Sequence, residues 1–165
     1  MRNAGSQYGE FLPHVVELVQ RQLGQYGRVG ATRIIKTPDV PAIAAVGGTS
    51  QPQQVNWRDR GVVIAMYGQE LAGTAAKYAS TRVKVQVGSN EDLFTDGQAP
   101  AFVSMLALFG GAQNWFPLIR WVEPGVVWLV TYENRHATDT ATPETEFAFI
   151  AEPDVQRMLR DAAKR

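Results

Sequence analysis

Three short apolar runs between Ala99 and Asn134 constrain the fold of this chain most strongly. Gly110-Gly111 and Pro124-Gly125 separate the runs, and the stretch contains three of the four tryptophans. The runs are too short for long helices, and their valines and aromatic residues favour buried strands. We therefore predict three consecutive buried strands in this stretch.

The rest of the chain repeats this pattern of short β-prone runs between turn residues. Arg82–Val87 alternates valine with charged or polar residues, as expected of a strand with one wet face. Val40–Val46 predicts another strand, and Glu146–Ala151 predicts the last one, with Phe147 and Phe149 facing inward. About eight short strands without intervening helices are typical of a sandwich. We predict an all-β fold, a single jelly-roll-like antiparallel β-sandwich with short N- and C-terminal helices.

The apolar pattern of one central strand predicts that both of its faces are covered. Val126–Tyr132 is apolar on both faces, with Trp128 and Val130 on one and Val127 and Leu129 on the other. A strand of this kind is covered on both sides, by the core and by a helix or another subunit.

Helical spacing occurs only near the two ends of the chain. Pro13 suits a first helical turn, and the apolar residues around it predict a helix over residues 12–24. These apolar residues form a stripe along one face of the helix, and the stripe needs a partner, either the chain's own sandwich or a neighbouring subunit. Its candidate assembly contacts are Leu12, Val15, Val19 and Leu23. We expect a single domain over residues 1–165, with an N-terminal arm and helix (1–27), a β-sandwich (28–151) and a C-terminal helix (152–165) that Pro153 opens.

Composition excludes several classes of function. The chain has 165 residues, with 16 basic and 16 acidic side chains and a formal net charge of zero. This balance lacks the basic surface of a nucleic-acid-binding protein, and it mildly favours association. There is no cysteine, so neither disulfides nor thiolate metal sites are expected. No signal-peptide pattern or transmembrane run is present in the sequence, so we expect a soluble protein.

Catalytic motifs are not apparent in the sequence. The two histidines, His14 and His136, are far apart, and no serine has the surroundings of a nucleophile elbow. Glu91, Asp92 and Asp96 cluster in one loop, but acidic loop residues are usually solvated, and the spacing of a calcium-binding EF-hand is absent. We therefore predict no catalytic residue, no metal site and no cofactor, and we expect no small-molecule ligand.

The aromatic residues of the central stretch have two interpretations. As core residues they need no further explanation. As a sugar-stacking platform, some rings must be exposed, and Trp115 is the candidate sugar or partner contact because it lies beside a turn with polar neighbours.

Residues Arg82–Arg135 carry a resemblance to viral virion sandwiches. The order of segments is RVKVQVGSNEDLFTDG, then LFGGAQNWFPLIRWVEPG, then VVWLVTYENR. It resembles the single jelly-roll capsid proteins of tailless, membrane-containing phages and the decoration or minor capsid proteins of tailed phages. The resemblance covers about a third of the chain. It implies a structural virion role without an active site.

These observations favour a structural virion protein, a capsid or capsid-associated subunit of a bacteriophage. We expect it to assemble with itself or with another capsid protein, in the virion after assembly in the host cytoplasm. The alternative is a carbohydrate-binding or host-recognition β-sandwich module that uses Trp115. A third class is a small β-sandwich enzyme, which would require a concave pocket holding two carboxylates.

Overall fold

A computed structural model shows ten strands and two helices in the ranges it describes. It describes residues 32–71, 79–88, 91–94, 100–109, 115–162 and 164. The strands are β1 (Arg33–Lys36), β2 (Gly48–Thr49), β3 (Gln53–Asn56), β4 (Gly61–Glu70), β5 (Thr81–Val87), β6 (Glu91–Asp92), β7 (Val103–Ser104), β8 (Phe116–Val122), β9 (Val127–Asn134) and β10 (Pro143–Ala151). The helices are α1 (Met105–Phe109) and α2 (Glu152–Ala162).

The strands form two antiparallel sheets. Sheet I has the order β1-β10-β4-β8. Sheet II has β9 and β5 at its centre, with β2 and β3 along the outer edge of β9 and β6 and β7 along the outer edge of β5.

The strand pairing is nested along the sequence, from the outermost strands of the described chain towards the middle ones. Leaving aside the two-residue strands β2 and β6, the first strand pairs with the last, β3 with β9, β4 with β8, and β5 with β7. This arrangement of eight strands in two sheets is the jelly roll. The predicted fold class is therefore confirmed.

The main core lies between the two sheets. Trp57, Trp128 and Phe147 meet there edge-on, with ring centroids 4.9 Å apart for Trp57–Trp128 and 5.4 Å apart for Trp128–Phe147. Phe147 and Phe149 both face this core, as the alternation of the last strand predicted. Edge-to-face contacts of this kind are favourable for aromatic rings and hold the two sheets in one relative position.

A second core lies on the outer face of sheet I. Val62, Ile64 and Ile150 point away from the first core and are buried together with Val155 of α2. Met158, one turn further along α2, packs against the same cluster. Around Val62–Ile64 and Ala148–Ile150, the central strands β4 and β10 therefore have a core on each face.

The first run of the central stretch is not the strand that its apolar composition suggested. It contains β7, only two residues long, followed by the helix α1. Met and Leu are good helix formers, and the Ser104 hydroxyl accepts a hydrogen bond from the backbone N–H of Ala107, as a helix cap does. Met105 and Phe109, four residues apart, bury one face of α1. The prediction of three consecutive strands was wrong in this run.

Two other predictions about strands need correction. Val40–Val46 forms no strand; only Ile43 makes an isolated bridge, with Ala141, and the chain then turns. In β9, the outward Val127 and Leu129 are half-buried, so the strands with two buried faces are β4 and β10. The outer face of sheet II instead carries polar side chains, among them those on the predicted wet face of β5.

The C-terminal helix was predicted at the right place, and α2 follows β10 without a loop. Within the described ranges, no helix is long and apolar enough to cross a membrane. The single-domain prediction and the N-terminal helix over 12–24 stay predictions, because residues 1–31 lie outside the described ranges.

Candidate interaction surfaces

A groove of about 380 Å³ lies between the edge strands β1 and β3. Arg33, Lys36 and Arg58 contribute to its walls, and Trp57 and Phe149 lie beneath it. Both rings are only 2% exposed, so the groove offers polar walls and little open aromatic surface. Arg33 donates a hydrogen bond to Asp59 at 2.6 Å, which ties the two walls together. This groove lacks the open ring face that sugar stacking requires.

A buried hydroxyl cluster, formed by Thr37, Tyr132 and Thr145, connects the two sheets across the core. The Tyr132 hydroxyl donates to the Thr145 hydroxyl at 2.8 Å and lies 3.0 Å from the Thr37 hydroxyl. The backbone N–H of Thr145 donates to the Thr37 hydroxyl at 3.1 Å. Burial raises the pKa of Tyr132 to about 12. The phenol is therefore a neutral structural group at neutral pH.

Outward-facing side chains at one edge of sheet I form an ion-pair cluster. Lys36 lies 2.8 Å from Glu146 and 3.1 Å from Glu144, and Gln69 donates to Glu144 at 2.8 Å. Hydrogen bonds to Glu146 and then to Glu144 raise the pKa of Lys36 to about 12. Because both carboxylates are paired with Lys36, this cluster is a structural feature that attaches the edge strand β1 to β10.

The loops at one end of the sandwich are tied together by Asn134, at the end of β9. Its side chain is fully buried and donates to the backbone oxygens of Ile43 and Asp139 at 3.1 and 2.8 Å. Its oxygen accepts the backbone N–H of His136 at 2.9 Å. One amide thus fixes the loop before β2 and the loop between β9 and β10.

Beside this amide, the turn that contains Val46 projects from the same end. The backbone N–H groups of Val46 and Gly47 donate to the oxygens of His136 and Asn134, at 2.9 and 2.7 Å. A recess of about 300 Å³ is lined by Val46, Gly47, Glu133 and Arg135. The Glu133 side chain is only 12% exposed and forms ion pairs with Arg135 at 2.9 Å and with Arg82 at 3.4 Å.

Exposed apolar side chains are few in the described part of the chain. The large ones, with their exposed fractions, are Val46 (79%), Leu71 (53%), Leu106 (42%) and Ile119 (41%). Val46 is the most exposed of these residues. They lie at loops, on α1 and on the edge strand β8, whereas the central strands present none of them.

Of the contact residues predicted from the sequence, Trp115 lies within the described ranges and the N-terminal ones do not. Trp115 is half-buried: its ring lies 5.5 Å from that of Tyr67, tilted by 37°, and packs against the second core. Leu12, Val15, Val19 and Leu23 lie outside the described residues, as do His14 and Asp96.

The acidic and histidine residues take ordinary structural roles. Asp92 is buried and accepts the backbone N–H of Phe94, whereas Glu91 lies 3.9 Å from Arg120. The His136 ring accepts the backbone N–H of Asp139. Among the described residues, no three His, Asp or Glu side chains are grouped as a metal site would need.

Sequence reasoning did not identify the two residues that distinguish the loop end. No sequence pattern marks Asn134 for this role, because one of the carbonyl groups that it binds, that of Ile43, is distant in sequence. Val46 was assigned to a strand, although the Gly47-Gly48 pair that follows is a turn signal and could have placed it in a turn.

Comparisons with known proteins give little further information. No family model matches the chain, and no curated protein matches it. A search of solved structures finds a crystal structure of FlhE, with 12% sequence identity and a TM-score of 0.34. The match covers 74% of this chain and 100% of the FlhE chain. We draw no conclusion from a similarity of this size.

Proposed function

We propose that this chain is a structural subunit that binds other copies of itself or a partner protein, without catalysis. In its specific form, the proposal is a capsid or capsid-associated protein of a bacteriophage, assembled in the host cytoplasm and resident in the virion. The resemblance of Arg82–Arg135 to virion sandwiches motivates the specific form, and no catalytic motif in the sequence argues for turnover.

The observation that carries the proposal is the distribution of apolar surface. Two cores cover both faces of sheet I, yet Val46, Leu71 and Ile119 remain exposed at loops and at an edge strand. The net charge of zero leaves little long-range repulsion between copies. A well-packed sandwich with apolar side chains at its periphery is suited to association through its ends and edges.

The edge strands β1 and β3 do not favour open-ended pairing. β1 and β3 have four residues each, and Lys36 on β1 is charged. Pro38 follows β1 and Pro52 precedes β3. Short edges with charges and prolines protect a sheet from uncontrolled strand addition. Association is therefore expected to involve side-chain surfaces, and so to be limited to defined contacts.

Mass measurement by light scattering over a concentration series tests this proposal. We expect the mean mass to rise with concentration from that of a monomer to that of a defined multimer. The subunit contacts should bury more than about 1,000 Å² in total. The proposal would be contradicted if the protein remains monomeric at high concentration and if no protein partner is recovered with it from its native source.

A carbohydrate-binding or host-recognition module is the second candidate. The observation that favours it is Trp115, which is half-buried and whose ring centroid lies 5.5 Å from that of Tyr67. Binding on a sugar array that is lost in Trp115→Ala, but kept in the matched Trp121→Ala variant, would place this candidate first. Trp121 is a suitable control because it is also half-buried on sheet I.

A further inference from the structure

The strand β1 has an open edge in the described part of the chain. Its one partner strand there is β10, and its other side forms a wall of the groove between β1 and β3. Beyond the end of β1, the backbone N–H of Thr37 donates to the oxygen of Thr145 on β10. Because the hydrogen bonds of an antiparallel strand alternate from side to side, Ile35 also bonds to β10. The N–H and C=O groups of Ile34 and Lys36 therefore face the open edge.

A buried donor beneath this groove also lacks a partner. Trp57 lies under the groove and is 2% exposed. Its indole Nε1 is buried and has no hydrogen-bond acceptor in the described part of the chain. Buried polar groups in folded proteins are normally hydrogen-bonded. The groove therefore favours an occupant that carries both backbone hydrogen-bonding groups and a side-chain acceptor.

The residues directly before β1 have the sequence pattern of a strand joined to β1 by a tight turn. Residues 25–29 include a tyrosine and a valine, which favour strands, and Gly30-Ala31 follows them. Glycine at the first central position is typical of the type II′ turn, a two-residue connection in β-hairpins. These residues lie outside the described ranges, and Thr32 is the first described residue after them. A hairpin over Gly30-Ala31 would bring residues 25–29 back along the open edge of β1.

The hydrogen-bond pattern of such a hairpin agrees with the open edge. In a two-residue hairpin the residues on either side of the turn, here Val29 and Thr32, form a hydrogen-bonded pair. Hydrogen-bonded pairs recur at every second residue, so Ile34 and Lys36 would bond to residues 27 and 25. These are the two residues of β1 whose backbone groups face away from β10. The added strand and β10 would therefore use different groups of β1.

The side chain of Tyr26 in this added strand suits the floor of the groove. Tyr26 would lie opposite Ile35, and residues opposite each other in a sheet share a face. Ile35 packs against the main core. The Tyr26 ring would therefore cover the floor formed by Trp57 and Phe149. Its hydroxyl oxygen can accept a hydrogen bond, which is what Nε1 of Trp57 lacks.

We propose that residues 25–29 form an additional strand on β1 and close the groove of their own chain. Attachment selects this occupant, because two turn residues join it to the groove wall and give it a higher effective concentration than a free peptide has. Arg28 would lie opposite Arg33, whose charge is balanced by Asp59 at 2.6 Å. Pro38 follows β1 and limits the pairing to one short strand. This inference goes beyond the proposed self-association and does not depend on it.

Amide hydrogen exchange of the full chain, followed residue by residue by NMR, tests this proposal. We expect the N–H groups of Ile34 and Lys36 to exchange about a hundredfold or more slower than in an unfolded chain, because carbonyl groups of the added strand accept them. Ile35 is the internal control, since its N–H bonds to β10 with or without the added strand. Free exchange at Ile34 and Lys36, with protection at Ile35, would overturn the proposal.

Two turn variants show whether the hairpin causes the protection. Valine disfavours the positive φ that the first central position of a type II′ turn requires, so Gly30→Val should speed exchange of Ile34 and Lys36 by about tenfold or more. Exchange of Ile35 should not change. Ala31→Ser is the matched control, because serine suits the second central position of this turn. Equal protection in the two variants would contradict a hairpin at this site.

A proline variant and the mass of the protein identify the occupant. Gly27→Pro removes the N–H that would bond to Ile34, and it should expose the same two amides. Protection that survives both Gly30→Val and Gly27→Pro would show that a different segment covers β1. Light scattering on the same samples should find the protection in the monomer. Protection found only in a multimer would assign the added strand to a second copy and overturn the choice of the same chain.

Discussion

At the scale of single residues, the hydroxyl cluster shows how polar groups can strengthen an apolar core. Thr37, Tyr132 and Thr145 satisfy one another between the sheets, with oxygen–oxygen distances of 2.8 and 3.0 Å around the phenol. A buried hydroxyl without partners would destabilise the fold, whereas a satisfied one contributes about 1 kcal/mol. The cluster therefore helps to specify how sheet II sits on sheet I.

The phenol of Tyr132 predicts a pH dependence at the alkaline end. It ionises near pH 10.0 in an unfolded chain, and burial raises the pKa of Tyr132 to about 12 in the folded protein. Between these values the unfolded state loses a proton that the folded state keeps, so stability falls as the pH rises. The full loss by pH 12 is about 2–3 kcal/mol. Urea unfolding at pH 9, 10, 11 and 12 measures it.

Tyr132→Phe is the matched variant for this prediction. It should cost about 1–2 kcal/mol at neutral pH and should show a smaller decline between pH 10 and 12 than the wild type. Lys36, whose pKa is also raised to about 12, contributes in the same direction, but it is present in both proteins and well exposed. Tyr67→Phe is the control. Equal slopes for the wild type and Tyr132→Phe would show that Tyr132 does not cause the decline.

At the scale of elements, α2 gives sheet I its second buried face. The helix begins directly after β10, and its Glu152 lies near Arg60, at the start of β4. Val155 is fully buried against the outer face, and Met158 extends the contact by one turn. Without this helix, apolar residues of β4 and β10 would face water.

Val155→Asp is therefore expected to destabilise the whole sandwich. A buried, unpaired carboxylate costs about 3–5 kcal/mol, and urea unfolding of the full chain measures this cost. Arg157→Ala is the control, since Arg157 is exposed and, within the described part of the chain, pairs with Asp154 on the same helix. We expect that control to change stability by no more than about 0.5 kcal/mol. A loss below about 1 kcal/mol for Val155→Asp would mean that the sandwich is stable without α2.

At the scale of the whole molecule, the N-terminal stripe and the net charge bear on assembly. The four apolar residues Leu12, Val15, Val19 and Leu23 share one face of a predicted helix. Deletion of residues 1–25 should weaken assembly at least tenfold, or by about 1.4 kcal/mol, and should affect the unfolding of the sandwich less. Light scattering and thermal unfolding of the same preparations measure the two effects.

A variant of full length is the control for this deletion. Substitution of all four stripe residues by serine keeps the chain length and should weaken assembly to the same extent. The net charge of zero also predicts that assembly changes little between low and high salt, because few long-range charge interactions need screening. Unchanged multimerisation of the deleted protein would show that the stripe is not an assembly contact.

The sequence by itself determined the class of fold and several of its elements. Alternation in Arg82–Val87 and apolar character in Glu146–Ala151 predicted β5 and most of β10, because residues two apart on a strand share a face. The number of short runs, without helices between them, was enough to predict a two-sheet jelly roll. These features depend on local periodicity, which can be read directly from the sequence of a single chain.

Only the tertiary structure decided the features that depend on contacts distant in sequence. Met105–Phe109 became a helix because one face of it could be buried, although its apolar composition also suited a strand. Val46 has a left-handed conformation, with a φ angle of +61°. Its turn is held by hydrogen bonds to the backbone oxygens of His136 and Asn134, which are distant in sequence. The bond from Asn134 to the backbone oxygen of Ile43 likewise joins residues that are distant in sequence. Local periodicity does not encode such pairings, since they depend on which loops the sheets bring to the same end of the sandwich.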